Sequence, residues 1–384
     1  MIYLDNAATS FPKAPNVKAA MCDFLDNIGA SAGRSAYASS IQSARILFET
    51  RKLLASMVGL KDCKRVFFTL NATMAINTAL QGFLKPKDKV LITQMEHNAI
   101  KRPLNFLKEK IGIEIVELPC NEFCELDLKE AQKHFKGAKL LACMHANNVS
   151  GAIIPLDELS ILCKKNGVKF LLDAAQSLGC VPLFDVMKKV DFLCFSAHKG
   201  LLAPMGVGGL IVSDDFDTNS LTPLVFGGTG SASELEFQPS FLPDKFESGT
   251  PNMHAIAGLK AALEWIETYG VDKIHQHECE IRNYFLENLS KQENIKLYPT
   301  FGESVGILSF DIPRLNLSHI SELLGENGIC VRVGLHCSPS SHKTIKSFKR
   351  KGTIRLSAGV FTTHSEANKA LEVILRIAKC KDIS

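Results

Sequence analysis

Short, continuous apolar runs along this chain alternate with longer stretches in which apolar positions recur every three or four residues. The runs predict buried strands over Arg65–Thr69, Lys89–Thr93, Ile113–Leu118, Lys139–His145, Val168–Asp173, Asp191–Phe195 and Gly208–Val212. The periodic stretches predict helices over Met74–Phe83, Lys101–Lys110, Leu128–Phe135 and Leu156–Asn166. Unbroken apolar strands that alternate with helices imply an α/β fold whose mostly parallel sheet is covered on both faces. After Thr250-Pro251-Asn252 the rhythm changes. Helices are predicted over Met253–Tyr269 and His275–Gln292, then a strand over Gly306–Asp311 and a helix over Leu317–Asn327. Strands Cys330–Val333 and Thr353–Ser357 and a closing helix Ser365–Lys379 complete a smaller α+β unit. The expected organisation is an N-terminal segment, residues 1–15, packing near the active site, a large domain over residues 16–255, and a small C-terminal domain over residues 256–384.

Composition narrows the class. At 384 residues, 46% hydrophobic and 22% charged, the chain has the balance of an ordinary globular enzyme and more length than one simple core organises. Its net charge of +4 is small, and the basic residues are scattered except for Lys343, Lys346, Lys349, Arg350 and Lys351. Such a patch reads as a solvated loop, whereas nucleic-acid binding needs a broader basic stripe with aromatic platforms. No apolar stretch reaches membrane-spanning length, and the segment Met1 to Asn6 does not read as a signal peptide. Twelve cysteines, many in apolar settings such as Cys143, Cys163, Cys180 and Cys194, fit reduced thiols in a cytoplasm. Cys120 and Cys124 have no second pair to complete a metal knuckle, so no metal site is expected.

The chemistry-bearing residues gather where predicted strands end. The run Asp191 to Phe195 leads into Ser196-Ala197-His198-Lys199, and the run Val168 to Leu172 ends in Asp173 followed by Gln176. A lysine just past a buried strand can lose pKa through desolvation and become nucleophilic. A carboxylate at the neighbouring strand end can hold a protonated pyridine nitrogen, so the two are the opposite ends of a pyridoxal phosphate site. A surface lysine and an Asp capping a helix would satisfy the same letters. The turn Asn71-Ala72-Thr73 at a helix start suits a phosphate ester, or is an ordinary N-cap. His97 and Asn148 also follow strands, as expected where an open α/β sheet binds its ligand. Pro204 to Gly209 lacks the order of a dinucleotide-binding turn and precedes a strand.

Late in the chain, a strand breaks at Gly334 and delivers His336 and Cys337 into a Ser/Pro segment. Cys337 is the cysteine most plainly in a polar, mobile setting, and the cationic neighbour Arg332 favours its thiolate. Arg332 and Arg355 can each fork onto a carboxylate. A structural loop thiol and two surface arginines are the plainer alternative.

Taken in order, these motifs resemble the class V aminotransferases, and within them the cysteine desulfurase and selenocysteine lyase branch. The likeness runs nearly end to end, through Tyr3-Leu4-Asp5-Asn6-Ala7-Ala8-Thr9, Asn71-Ala72-Thr73, Glu96-His97-Asn98, Asn148-Val149 and Asp173-Ala174-Ala175-Gln176. It continues through Ser196-Ala197-His198-Lys199, Phe246-Glu247-Ser248-Gly249-Thr250-Pro251-Asn252, Arg332-Val333-Gly334-Leu335-His336-Cys337 and Arg355. The resemblance implies a fold type I homodimer with pyridoxal 5'-phosphate on Lys199. Asp173 would pair with the pyridine nitrogen, Gln176 with the phenolic oxygen, and His97 would stack on the ring. Ala72, Thr73, Ser196 and His198 would hold the phosphate, with Thr250 contributed from the partner subunit. Asn148 and Arg355 would hold the substrate carboxylate, with Arg332 lining the same pocket.

Cys337 matches the persulfide-forming cysteine of the branch with a short active-site loop. The implied reaction converts L-cysteine to L-alanine and leaves a persulfide on Cys337 for a protein sulfur acceptor. Lys199 handles the proton and Cys337 the sulfur. Selenocysteine cleavage, transamination or β-elimination on the same scaffold are the enzyme alternatives, and a non-catalytic sulfur-relay scaffold is the remote one. The chain departs from the family at Tyr37, where a histidine is usual, which bears on substrate choice. The Ser/Lys-rich stretch after Cys337 bears on how an acceptor docks.

Overall fold

The structure, a computed structural model, describes residues 1–33 and 35–379, so Arg34 and residues 380–384, Cys380 among them, lie outside the described residues. The strands are β1 Ile2–Tyr3, β2 Val66–Thr69, β3 Lys89–Thr93, β4 Glu114–Leu118, β5 Leu140–Met144 and β6 Lys169–Asp173. They continue with β7 Phe192–Ser196, β8 Gly208–Val212, β9 Lys296–Tyr298 and β10 Ile307–Asp311. The last three are β11 Ile329–Cys330, β12 Arg332–Gly334 and β13 Thr353–Ser357. The α-helices are α1 Val17–Asp23, α2 Ala38–Val58, α3 Ala72–Phe83, α4 Asn98–Ile111, α5 Leu128–Ala131 and α6 Leu156–Asn166. The remainder are α7 Met253–Tyr269, α8 Val271–Leu289, α9 Leu317–Glu326, α10 Pro339–Thr344 and α11 His364–Lys379. Among the described residues no helix is long and apolar enough to cross a membrane.

Seven strands form one sheet in the order β2-β8-β7-β6-β5-β3-β4. The apolar runs are explained by burial on both sides. Val90 and Ile92 of β3 enter one core with helices α3 and α4, while Leu91 enters the other with helix α7. Leu140 and Ala142 of β5 likewise face the first core, and Leu141 and Cys143 the second. The pairs β3–β4, β3–β5, β5–β6 and β6–β7 are parallel. Strand β8 is antiparallel to both β7 and β2, because the segment from Ser196 to Gly208 contains no crossover helix. Gly208 lets β8 pass beneath the start of α3, where a Cβ would press on Phe195 O and Asn71 Cα. The glycines after Lys199 therefore serve packing.

A second sheet, antiparallel, has the order β12-β13-β10-β9. It packs on α8, α9 and α11 through Ile281, Phe285, Leu308, Phe310, Ile320, Leu356 and Ile374. The chain's N-terminus returns to this unit. Strand β1 pairs in parallel with β11, and Asp5 bridges to Ser357.

The helix expected over Leu128–Phe135 is α-helical only to Ala131, and two further departures are more informative. The single strand predicted over Cys330–Val333 is split into β11 and β12, which join different sheets. Helix α2 was not visible in the hydrophobic pattern, because its polar side chains face inward. Ser40 and Ser43 are fully buried, bonding Ser31 O (3.1 Å) and Ala30 O (2.7 Å), while Ile41 and Phe48 are exposed.

Strands β12 and β13 are joined by the long segment 335–352, which turns back into the sheet at Gly352, beside Gly334. Gly352 has φ 122°, and a Cβ there would press on the backbone oxygen of Gly334. Gly352→Ala should lower the unfolding free energy by about 1–3 kcal/mol, read as a lower urea midpoint. An unchanged midpoint would contradict this account of the turn.

Candidate active site

Parallel pairing brings the strand ends to one level: Met144 of β5 lies opposite Asp173 of β6, and Asp173 opposite Cys194 of β7. The residues that follow these strands converge on one cavity of about 270 Å³. Ala72 and Thr73 at the start of α3, His97 after β3, and Asn148 after β5 line it. Asp173 and Gln176 after β6, and Ser196, His198 and Lys199 after β7, complete the lining. Nine of the residues singled out in the sequence thus meet in one place.

Helix α3 begins at Asn71, whose side chain accepts from Met74 N at 3.0 Å, and Ser196 Oγ accepts from Ala72 N at 2.9 Å. The dipole of α3 therefore points its positive end at the cavity. His198 is held by its backbone oxygen, which accepts from Ser10 N (2.9 Å), Thr9 Oγ1 (3.1 Å) and Lys13 Nζ (3.1 Å). Its Nδ1 is buried without a hydrogen-bond partner among the described residues.

Burial sets the charges here. It pushes Lys199 down to about 8, with Asp173 drawing it up and the arginines Arg355 and Arg332 pressing it lower. Burial also raises the Asp173 carboxyl, opposed by the Ala175 N–H at 3.0 Å and by Lys199. The His97 imidazole is pulled down to about 4, first by burial and then by Lys199 and Arg332, so it is neutral at pH 7. Its Nδ1 accepts from Ala99 N at 3.0 Å, which leaves the proton on Nε2. Gln176 donates to Ala7 O at 2.9 Å, tying the cavity to the N-terminal segment.

The second sheet supplies the cations and the thiol. Arg332 and Arg355 stand directly opposite each other on β12 and β13. Like charges in that position repel. One carboxylate relieves them: Arg355 donates to Asp5 Oδ1 at 2.9 Å, and also to Asn148 O at 3.0 Å. Arg355 Nε and Asn148 Oδ1 remain buried and unpartnered among the described residues. A carboxylate ligand would add the missing negative charge and satisfy that Nε. Asp5 was quoted in the N-terminal motif but given no role, because a pairing across 350 residues leaves no local signal.

Cys337 is exposed, and Arg332 donates to its Sγ at 3.8 Å. It lines a groove of about 430 Å³ that also contains Thr73 and His97, so thiol and cavity are continuous. The mobile setting expected for this cysteine is corrected by the structure. His336 and Cys337 are both left-handed, at φ 47° and 58°, and their neighbours Ser338 and Ser341 are fully buried. Asn148 Nδ2 donates to His336 O at 2.7 Å, and Asn98 N to Cys337 O at 2.9 Å. The basic stretch Lys343–Lys351 is likewise anchored: His342 and Ser347 are buried, and Arg350 pairs with Asp311 at 2.8 Å. Thr250 lines a separate cavity of about 560 Å³ and does not reach the Lys199 cavity within one chain. Tyr37 is 54% exposed at the start of α2.

Fold and cleft together define an α/β enzyme with its ligand at the carboxyl ends of parallel strands. The Aminotransferase class-V family model matches residues 2–369, and the chain belongs to that family. It is 33% identical to a probable cysteine desulfurase of Pyrococcus abyssi, over 99% of this chain and 94% of that protein. The apo structure of a cysteine desulfurase from Thermococcus onnurineus NA1 superposes with a TM-score of 0.92 at 30% identity, covering 98% of this chain and 94% of that one. The cysteine desulfurase CsdA (S-sulfonic acid) from Escherichia coli gives 0.87 at 26% identity, covering 97% and 94%. The architecture is the fold type I arrangement expected from the motifs.

Among the described cysteines only Cys22 and Cys337 are exposed. Burial raises the thiols of Cys143, Cys180 and Cys194 far above their usual range. Brief alkylation of the native protein, followed by peptide mass analysis, should label Cys22 and Cys337 ahead of these three. Early labelling of any buried thiol would refute this burial pattern.

Proposed function

We propose that this chain is a cysteine desulfurase that takes sulfur from L-cysteine onto Cys337, releases L-alanine, and passes the sulfur to a protein acceptor. The observation that carries the reading is the exposed Cys337 thiol, 3.8 Å from Arg332 and continuous with the cavity of Lys199 and Asp173. The residues present fit pyridoxal 5'-phosphate. A buried amine and acid line one cavity, and the unpartnered His198 Nδ1 beside the positive end of α3 suits a phosphate. Lys199 would carry the cofactor covalently, Asp173 would hold the ring nitrogen protonated, Gln176 would meet the phenolic oxygen, and neutral His97 would stack on the ring. Ala72, Thr73, Ser196 and His198 would take the phosphate, with Thr250 of a second copy.

Bound there, the cofactor supplies an electron sink for the carbanion formed at the substrate Cα. Everything else falls to the protein. Arg355 and Asn148 orient the substrate carboxylate, and Arg332 adds positive charge beside it while donating to Cys337 Sγ. Lys199, whose lowered pKa leaves its amine partly unprotonated near neutral pH, removes the Cα proton and holds it for return. The Cys337 thiolate forms an S–S bond to the substrate sulfur as the Cβ–S bond breaks. That bond's electron pair stays with Cβ, which gains a proton, so cysteine plus thiol becomes alanine plus persulfide.

We read the two sheets as a large domain over residues 16–255 and a small one over 256–384, with residues 1–15 closing on the site between them. A homodimer is supported by large apolar side chains left in water, among them Ile41, Phe48, Phe226 and Phe237. The many free thiols suit the reducing cytoplasm.

Single-turnover incubation of the cofactor-loaded protein with L-cysteine, with mass analysis of the Cys337 peptide, should give a sulfur adduct and matching alanine. Lys199→Ala should lose the cofactor's visible absorbance, and Cys337→Ala should keep it while losing sulfur release. Full desulfurase activity in Cys337→Ala would sink the thiol's role, whereas loss of cysteine desulfuration with undiminished cleavage of selenocysteine in that variant would favour selenocysteine as the substrate. The Lys199 value of about 8 gives a pH test as well. Cofactor uptake by the stripped protein needs the unprotonated amine, so its rate should climb as pH rises through about 8. A rate that does not change across that pH contradicts the assignment.

A further inference from the structure

The loop that carries Cys337 closes on the β3–α4 turn through two side chains that the chemistry above does not use. Ser338 and Ser341 are fully buried although each bears a hydroxyl. Ser338 Oγ lies 3.1 Å from Met95 O and 3.2 Å from Glu96 O, sharing its proton between them. Ser341 Oγ donates to Met95 O at 2.7 Å and accepts from Asn147 Nδ2 at 2.8 Å. Beside these contacts run the backbone bond from Asn98 N to Cys337 O (2.9 Å) and the bond from Thr344 Oγ1 to Gln94 O (3.2 Å). The segment 94–98, which contains His97, is therefore stitched to the segment 337–344, which begins with Cys337.

The turn is a firm support. Glu96 is fully buried, and its carboxyl accepts from Thr93 N, Thr93 Oγ1 and Met144 N, which fastens the turn to β5. The thiol arrives from the other sheet, after β12, through residues held in left-handed conformations. Such backbone persists only where its surroundings over-determine it. The serine hydroxyls, together with Asn148 Nδ2 on His336 O, are the side-chain part of that determination.

We propose that Ser338 and Ser341 are positioning residues for the sulfur step, holding the Cys337 thiol over the support that carries His97. This rests on the desulfurase reading. The thiolate must meet the substrate sulfur in line with the breaking Cβ–S bond, a geometry for which a displacement of about 1 Å can cost about a hundredfold in rate. Proton removal by Lys199 makes no such demand on the loop. The proposal therefore separates two rates that a general loss of stability would lower together.

The test compares the parent protein with Ser338→Ala, Ser341→Ala and the double variant, all loaded with pyridoxal phosphate. Three rates are read: persulfide formation on Cys337 from L-cysteine, exchange of the Cα hydrogen of L-alanine for deuterium, and alkylation of Cys337 in the same loaded protein without substrate. The variants should form persulfide about tenfold or more slowly, keep the exchange rate of the parent, and alkylate faster as the thiol leaves its seat. Persulfide formation and exchange falling by the same factor would assign the hydroxyls to stability alone and overturn the proposal. So would parental values of both persulfide formation and alkylation. Should the double variant fail to fold, the single ones decide. A parent that exchanges the Cα hydrogen but makes no persulfide would instead overturn the desulfurase reading, and alkylation alone would then judge the clamp.

Discussion

The parallel register of β5, β6 and β7 is the constraint on which the rest of the site depends. Hydrogen bonding across these strands sets Met144, Asp173 and Cys194 side by side. Everything chemical then begins within a few residues of that level. A slip of one residue in β6 would turn Asp173 to the opposite face of the sheet. Because both faces are covered, the acid and amine beyond the strand ends are stripped of water. Burial is accordingly the first cause of the shifts at Lys199, Asp173 and His97 alike. The same sheet that supplies stability through its two cores thus supplies the low dielectric in which a lysine is partly unprotonated near neutral pH.

How much of this was legible in the sequence follows from where the information lies. Strands of the large sheet were legible because burial on both faces makes them continuous apolar runs, and β3 and β8 match their predicted limits. Helix α2 was not, since Ser40, Ser43, Thr50 and Arg51 are buried on it while Ile41 and Phe48 face solvent. Only its end, where Leu54, Ala55 and Val58 are buried, follows the usual pattern. The break between β11 and β12 was hidden for another reason: Cys330 and Arg332 look like one strand until β1 arrives from the far end of the chain.

Site residues divide in the same way. Those that follow strands of the large sheet could be gathered from position alone, since the ends of parallel strands share an edge. Asp5, Glu96, Ser338 and Ser341 could not. Each acts through a partner fixed by tertiary packing: Arg355 for Asp5, Met144 for Glu96, and Met95 O for the serines. What motifs announced were the groups that would touch a ligand. The supports of those groups have ordinary letters and become visible only when their hydrogen-bond partners are known.

The loop after β12 shows why such supports matter. Two consecutive non-glycine residues in the left-handed region cost about 1–2 kcal/mol each relative to ordinary backbone. Against this stand the bonds to His336 O and Cys337 O and those made by Ser338 and Ser341, each worth about 1 kcal/mol net. The two sums are of the same size, so the loop is neither strained enough to spring open nor so stable that its conformation is insensitive to one lost hydroxyl. Arg332 adds a further restraint only while Cys337 offers it a negative or polarisable sulfur. A thiol poised in this balance is held for attack in its reduced form. On the proposed reading, an extra sulfur on Cys337 would sit in a groove that Arg102 and Phe106 also line and Lys199 does not.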